Sequence, residues 1–246
     1  MGGHEWADGV VLTAYGPLHY RTIGRGPLLI ALHGIQGTAG VWTDVGSRLA
    51  MRYTVVAPNL RGRKPSVVPT ERQRYSMRCF AADVRAVIEA VGEPVALIGW
   101  SMGVLVTLEY LRQGWPMPRA LVLIGGTAHL ADIRWFEGRS DEEVVSEARE
   151  RAFRLGLTEA ADPYAVAASW WHASRADYRS TLSSLQVPCL LLHGDNDDQC
   201  PPEHAEALAA RLPDAELRMW PGGGHSLMGA DPAGFAAAVD TFVARH

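Results

Sequence analysis

The chain has 246 residues, with 23 lysines and arginines against 27 aspartates and glutamates, a net charge of −4, and 48% hydrophobic and 20% charged residues. That length suits one α/β domain, and the mild acidity argues against a dedicated nucleic-acid binder or a polybasic membrane-surface patch. Three cysteines (Cys79, Cys189 and Cys200) form no CxxC pair, no apolar run approaches the roughly 18 residues of a membrane span, and no cationic region precedes an apolar core near the N-terminus, so a reduced, cytoplasmic setting is expected.

In chain order, "VVLTAYGPLHYRTIG" reads as two opening strands joined near Gly16-Pro17. Continuous apolar runs then predict buried strands at 27–34, 53–59, 95–100, 120–126 and 189–195, and a last strand is expected at 216–222. Amphipathic segments alternate with them. One runs over 76–91, with Phe80, Val84, Val87, Ile88 and Val91 on one face. Another follows Ser101 and stops at Gly114, with Pro116 just beyond. A third opens at Asp231-Pro232, an N-cap followed by proline at the first helical position. This alternation predicts a largely parallel sheet with helices on both faces.

Residues 128–185 break the rhythm and are expected to form a small helical insert within one domain spanning 1–246. Ser140 with Glu143 three residues later is a capping-box pattern. Val144, Val145, Ala148, Ala152 and Leu155 then form a helical stripe, and Glu147 and Arg151 are spaced for an ion pair. A second helix opens at Asp162-Pro163 and carries Trp170, Trp171 and His172.

Packing alone gives no reason for a hydroxyl in "VALIGWSMGVLVTLEYL". Gly99-Trp100-Ser101-Met102-Gly103 fits G-x-S-x-G between a predicted strand and a predicted helix, where a sharp turn exposes a nucleophilic serine. The alternative is a polar residue that caps the helix. The following helix points its N-terminal amides at developing negative charge. A serine hydroxyl needs a base to take its proton. Of nine histidines, His225 lies on a glycine-rich loop between the last strand and the last helix, where an open α/β sheet places its chemistry. His4, His19 and His246 lie near the termini, His204 starts a helix, His129 and His172 belong to the insert, and His33 and His193 end strands. A third group must hold the imidazole, and Asp195, Asp197 and Asp198 cluster after the penultimate strand. Calcium binding by this cluster is not expected, because Cys200 stands where an EF-hand loop needs glycine. No metal and no cofactor is expected.

These motifs, spread from "LLIALHGIQG" to "GGGHSLMGADPAGFAAAVDTFV", resemble the α/β-hydrolase superfamily, in particular its small serine esterase, enol-lactonase and perhydrolase-like members. The resemblance implies the α/β-hydrolase fold, a mostly parallel eight-stranded sheet flanked by helices, with the insert as a lid. It aligns the acid motif GxxDxxxP onto Gly194, Asp197 and Pro201 and so favours Asp197. It aligns HGxxG onto His33-Gly34-Ile35-Gln36-Gly37 and implies an oxyanion hole from the backbone N–H groups of Ile35 and Met102. Two departures stand out. Val104 replaces a second glycine after the elbow, and "NLRGRKPS" (59–66) replaces the usual D-x-x-G-x-G-x-S near the pocket mouth.

A serine nucleophile points to an ester, lactone or thioester and away from the haloalkane and epoxide chemistries that place an aspartate at the elbow. The expected partner is a small acyl substrate. Trp100, Trp135, Phe136, Trp170 and Trp171 are candidate lining residues for a hydrophobic acyl group. The same triad also serves acyl transfer, cyclisation or cofactor-free perhydrolysis, and a small-molecule receptor of this fold is a further alternative.

Overall fold

The computed structural model describes residues 5–130 and 133–246. His4 and two residues of the expected insert, Ala131 and Asp132, lie outside the described residues. Eight strands form one sheet: β1 (Ala7–Thr13), β2 (Gly16–Gly24), β3 (Leu28–Leu32), β4 (Thr54–Pro58), β5 (Ala96–Trp100), β6 (Ala120–Ile124), β7 (Cys189–Gly194) and β8 (Ala215–Trp220). Their spatial order is β1-β2-β4-β3-β5-β6-β7-β8. The pairings of β1 with β2 and of β2 with β4 are antiparallel, and the rest are parallel.

The apolar runs become central strands because both faces are covered. Along β3, Leu29 and Ala31 join the core on one face, while Ile30 and Leu32 join the core on the other. β6 alternates in the same way, with Leu121 and Leu123 opposite Val122 and Ile124. Each such leucine, isoleucine or valine side chain removed from water contributes about 1.5–3 kcal/mol.

On one face lie α1 (Thr43–Leu49) and α9 (Pro232–Val243), joined by the short α8 (Leu227–Ala230). There Trp42, Val45, Phe235, Val239 and Phe242 pack beneath the sheet. On the other lie α2 (Met77–Val91) and α3 (Met102–Arg112), with α7 (Glu203–Ala209) alongside β7 and β8. The expected stripe of α2 is buried at Phe80, Val84, Val87 and Ile88, and the Ser76 hydroxyl caps the helix by accepting from Cys79 N–H. Asp231 caps α9 by accepting from Gly234 N–H at 2.9 Å.

Between β6 and β7 come α4 (Asp141–Arg154), α5 (Pro163–Ala173) and the short α6 (Arg179–Leu182). Ser140 and Glu143 form the capping box at the start of α4, and Asp162 accepts from Tyr164 N–H at the start of α5. Of the α4 stripe, Val144 and Ala148 are buried, whereas Leu155 is exposed. The expected Glu147–Arg151 pair does not form. Glu147 accepts from the backbone N–H of Glu137 at 2.9 Å, and Arg151 turns to Gln199.

A buried ion pair fixes the loop after β4 against α2. Arg61 donates from Nε to Asp83 Oδ2 at 2.8 Å and from Nη2 to Oδ1 at 2.5 Å, with both side chains nearly inaccessible. Arg61 N–H also reaches Asp83 Oδ2 at 3.2 Å. Removing one partner of such a pair strands a desolvated charge. Asp83→Ala is therefore expected to destabilise the fold by about 3–5 kcal/mol in urea denaturation. Glu89→Ala, which removes the exposed i,i+4 pair with Arg85, should change stability by about 0.5 kcal/mol or less. Similar losses in the two variants would refute this account.

Candidate active site

The strand order reverses around β3, which lies between β4 and β5, so the chain leaves β3 and β5 toward opposite sides. A crevice opens at the carboxyl ends of such strands. Four loops meet there: residues 33–37 after β3, Ser101 after β5, the loop carrying Asp197 after β7, and the loop carrying His225 after β8.

Ser101 has φ +57° and ψ −117°, and it is the only non-glycine residue with positive φ among the described residues. A side chain held there costs about 1–3 kcal/mol and persists only when its surroundings fix it. Its N–H donates to Ile124 O of β6 at 2.9 Å, and its carbonyl accepts from Val104 N–H at 2.9 Å. The flanking glycines are required by space. A Cβ on Gly99 would lie 2.6 Å from Gly103 O, and a Cβ on Gly103 would lie 2.6 Å from Leu32 O. The departure at Val104 has its counterpart across the elbow: a Cβ on Gly126 would lie 2.4 Å from a Val104 methyl. The bulk gained at one position is relieved at the other.

Ser101, Asp197 and His225 come together. Ser101 Oγ lies 2.9 Å from His225 Nε2, and His225 Nδ1 lies 3.0 and 2.8 Å from the two Asp197 carboxylate oxygens. An ionised carboxylate only accepts, so Nδ1 carries the proton and Nε2 is left to accept from the serine hydroxyl. Asp197 Oδ1 also accepts from the N–H groups of Gln199 and Cys200, each at 2.9 Å. Burial alone would raise the Asp197 carboxyl. The His225 hydrogen bond and charge, with the two backbone donors, bring it below its ordinary value. His193 stands behind the acid, with Nε2 2.7 Å from Cys200 O and 3.5 Å from Asp197 Oδ2.

The neighbouring aspartates have other positions. Asp195 accepts from Gly222 N–H at 2.7 Å and ties the acid loop to the histidine loop. Asp198 is exposed and lines a separate cavity. Gly125, with φ +49°, makes room for the acid–base pair, since a Cβ there would lie 3.2 Å from Asp197 Oδ2 and 3.3 Å from His225 Nδ1. Nothing local in the sequence marks that glycine, because the atoms it clears are distant in the chain.

The 33–37 turn sits against the serine, and a Cβ on Gly34 would lie 3.2 Å from Ser101 Cβ. Gly37 N–H closes the turn on Gly34 O at 3.1 Å. Met102 is the first residue of α3, so its N–H has no i−4 carbonyl to bond within the helix. Ile35 O accepts from Arg63 Nη2, and Arg63 Nη1 donates to Arg61 O at 2.8 Å. Arg63 is inaccessible, and burial pushes its guanidinium down to about 10. His33 is also fully buried: Nδ1–H donates to Gly34 O at 2.9 Å, and Nε2 accepts from Leu60 N–H at 3.3 Å. Burial first, and then the Arg63 charge, push the His33 imidazole down to about 3, so it stays neutral. Arg63 and His33 thus brace both carbonyls of the Gly34–Ile35 turn.

A cleft of about 360 Å³ opens over Ser101 and His225, lined by Ile35, Val41, Trp100, Leu155 and Leu157 with the polar Gln36, Arg151, Glu159 and Gln199. Trp100 belongs to it, and its Nε1–H donates to His225 O at 2.9 Å. The other expected aromatics are placed differently. Trp135 lines the adjoining cavity, and its Nε1–H donates to Gln199 O at 2.9 Å. Phe136 and Trp170 are buried against one another with ring centroids 5.8 Å apart, and they do not line the cleft. Trp171 faces Arg72 and Arg175 and donates to Asp141, also away from it. Phe136 and Trp170 pack between α5 and Arg151 of α4, where a large apolar side chain gains more by burial than by lining an open cavity, and the half-buried Trp171 ties α5 to the start of α4. Asn59, Lys64 and Pro65 line a separate groove that meets the cleft at Glu159.

A family model described as the alpha/beta hydrolase family matches residues 29–238. The chain is 28% identical over 257 residues to a pimeloyl-acyl-carrier-protein methyl ester esterase of Xanthomonas campestris, a match covering 92% of this chain and 99% of that one. Among solved structures, an esterase of Exiguobacterium antarcticum superposes with a TM-score of 0.83 at 22% identity, covering 96% of this chain and 98% of that one. A bromoperoxidase of Bacillus anthracis does so with a TM-score of 0.84 at 20% identity, covering 97% and 100%. At these identities the two structures establish the shared fold.

The neutral His33 has a consequence for stability. Unfolding returns its imidazole to an ordinary value near 6.5, so below that pH the unfolded chain binds a proton that the folded chain does not. Stability attributable to His33 therefore falls as pH drops from about 6.5 toward about 3, by at most about 1.4 kcal/mol per pH unit. Denaturation of His33→Asn between pH 7 and pH 5 should show a shallower loss than the unaltered protein. Parallel pH profiles would contradict the assignment.

Proposed function

The chain belongs to the alpha/beta hydrolase family, and from that premise we propose that it is a serine-dependent hydrolase of a carboxylic ester, lactone or thioester, acting through an acyl-enzyme on Ser101. One observation carries the reading: a continuous hydrogen-bonded line from the Ser101 hydroxyl through the His225 imidazole to the buried Asp197 carboxylate, at 2.9 Å and then 2.8 Å. The esterase named among its sequence relatives supports ester chemistry.

In this mechanism, the Ser101 hydroxyl attacks the substrate carbonyl while His225 Nε2 accepts its proton. The imidazolium that forms is held in place and stabilised by Asp197, which stays ionised. The carbonyl oxygen gains negative charge and turns toward the N–H groups of Ile35 and Met102, which are fixed before the charge develops. Loss of one such donor typically costs about 2.7–4 kcal/mol of transition-state stabilisation. Collapse of the tetrahedral intermediate breaks the bond to the leaving group, which takes the proton from His225. Water then repeats the sequence on the acyl-serine and releases the acid. The cleft volume of about 360 Å³ suits a small molecule. Its apolar wall of Ile35, Val41, Trp100, Leu155 and Leu157 suits a hydrophobic portion of the substrate.

A fluorophosphonate probe is expected to modify Ser101 alone, located by peptide mass spectrometry. Ser101→Ala should abolish multiple turnover of short p-nitrophenyl esters, and Asp197→Asn should lower kcat by about 10³–10⁴-fold by favouring the wrong imidazole tautomer. Labelling at another serine, or undiminished turnover in Ser101→Ala, would refute the reading.

A further inference from the structure

The cleft over Ser101 does not end at its apolar wall. Arg151, Leu155 and Gln199 line both this cleft and a neighbouring cavity of about 460 Å³, to which Arg134, Arg154 and Asp198 contribute. Three guanidinium groups thus meet one carboxylate among the described residues lining that cavity. Arg134 lies 3.6 Å from Glu137 at the exposed rim, and Arg154 forms no ion pair among the described residues. Glu159 lines the cleft too, but where the cleft meets a different groove, and its carboxylate already accepts from the Thr38 hydroxyl at 3.1 Å.

Arg151 stands at the junction with its bonding incomplete. Nη2 donates to the Gln199 side-chain oxygen, and the guanidinium packs 5.6 Å from the centre of the Phe136 ring. Nη1 is buried and has no hydrogen-bond partner among the described residues. No carboxylate lies within ion-pair distance of Arg151 among those residues, and Glu147, one turn earlier, is engaged by the Glu137 N–H. Burial, and next the charge of Arg154, lower its affinity for the proton below the ordinary guanidinium value. A half-buried cation with an unused donor loses hydration without compensation and gains once an anion arrives. Its place in the lining of both the serine's cleft and the adjoining cavity makes substrate the natural source of that anion.

We propose that this cavity is an anion subsite: the substrate is an ester that carries, beyond an apolar stretch, a carboxylate or phosphate group received by Arg151 in the field of Arg154 and Arg134. The proposal rests on the reading of Ser101 as the nucleophile and adds a substrate class to it. The apolar wall holds the middle of the chain, and the guanidinium holds its far end.

The test compares p-nitrophenyl monoesters of dicarboxylic acids, and phosphate-ended counterparts, with uncharged esters of equal length. The unaltered protein should favour the anionic members by about tenfold or more in kcat/KM, mainly through KM, and the preference should shrink with added salt. In Arg151→Gln the ratio of anionic to neutral turnover should fall toward one, a readout independent of any general loss of activity. Arg154→Gln should lower the same ratio by a smaller factor, and it carries the test if Arg151→Gln does not fold. Comparing the carboxylate and phosphate series shows which group the cavity takes. Equal turnover of charged and neutral esters by the unaltered protein overturns the subsite, and a preference that survives Arg151→Gln overturns the assignment to Arg151. Should no ester be turned over, the hydrolase reading fails separately. The subsite is then read by calorimetric titration with adipate and hexyl phosphate, expected to bind the unaltered protein about tenfold more tightly than Arg151→Gln. Absence of binding, or equal binding, overturns it.

Discussion

The arrangement depends on one backbone constraint, the left-handed conformation of Ser101. A serine with φ +57° is disfavoured in isolation, and three elements keep it there. β6 accepts its N–H, Gly99 lies against Gly103, and Gly103 lies against the carbonyl of Leu32 in β3. These contacts are between backbones, so the turn is set by the sheet and by the absence of side chains. Because α3 begins at the next residue, the same turn sets Ser101 directly before the first amide of the helix. The remaining loops converge on that point.

A second layer of interactions concerns groups that react with nothing. The Asp197 carboxylate is fixed by three N–H donors, those of the His225 ring and of the Gln199 and Cys200 backbone. The Gly34–Ile35 turn is braced by a neutral histidine and a buried arginine. Two buried arginines, Arg61 and Arg63, therefore stand in one loop with different partners. Arg61 is matched by a carboxylate and anchors the loop to α2, whereas Arg63 spends its charge on backbone carbonyls. A cation directed at the Ile35 carbonyl draws electron density from the Ile35–Gln36 peptide and holds the turn that lies against Ser101.

Much of this was legible in the sequence where local rules decide. The buried strands announced themselves as short apolar runs, and Asp162-Pro163 and Asp231-Pro232 marked their helix starts by cap chemistry that depends on adjacent residues. The elbow and its histidine loop were legible because the turn tolerates few residue types. Contacts across long separations were not. Arg61 with Asp83, and Gly125 beneath the acid–base pair, leave no periodic trace. The i,i+4 spacing of Glu147 and Arg151 was correct for a helix, yet an exposed pair is worth only a few tenths of a kcal/mol. Other partners took both residues. The tryptophans misled for a related reason, since aromatic content is equally the mark of a ligand wall and of a helix–helix seam. The helix at Thr43–Leu49 was missed because "TDVGSRL" offers only two large apolar side chains, Val45 and Leu49.

Gln199 joins these layers. Its amide hydrogen serves the Asp197 carboxylate, its carbonyl receives the Trp135 indole, and its side chain meets Arg151 of α4. It thus links α4 to the loop that carries Asp197. Any displacement of α4 would therefore act on the same residue whose amide hydrogen holds the Asp197 carboxylate.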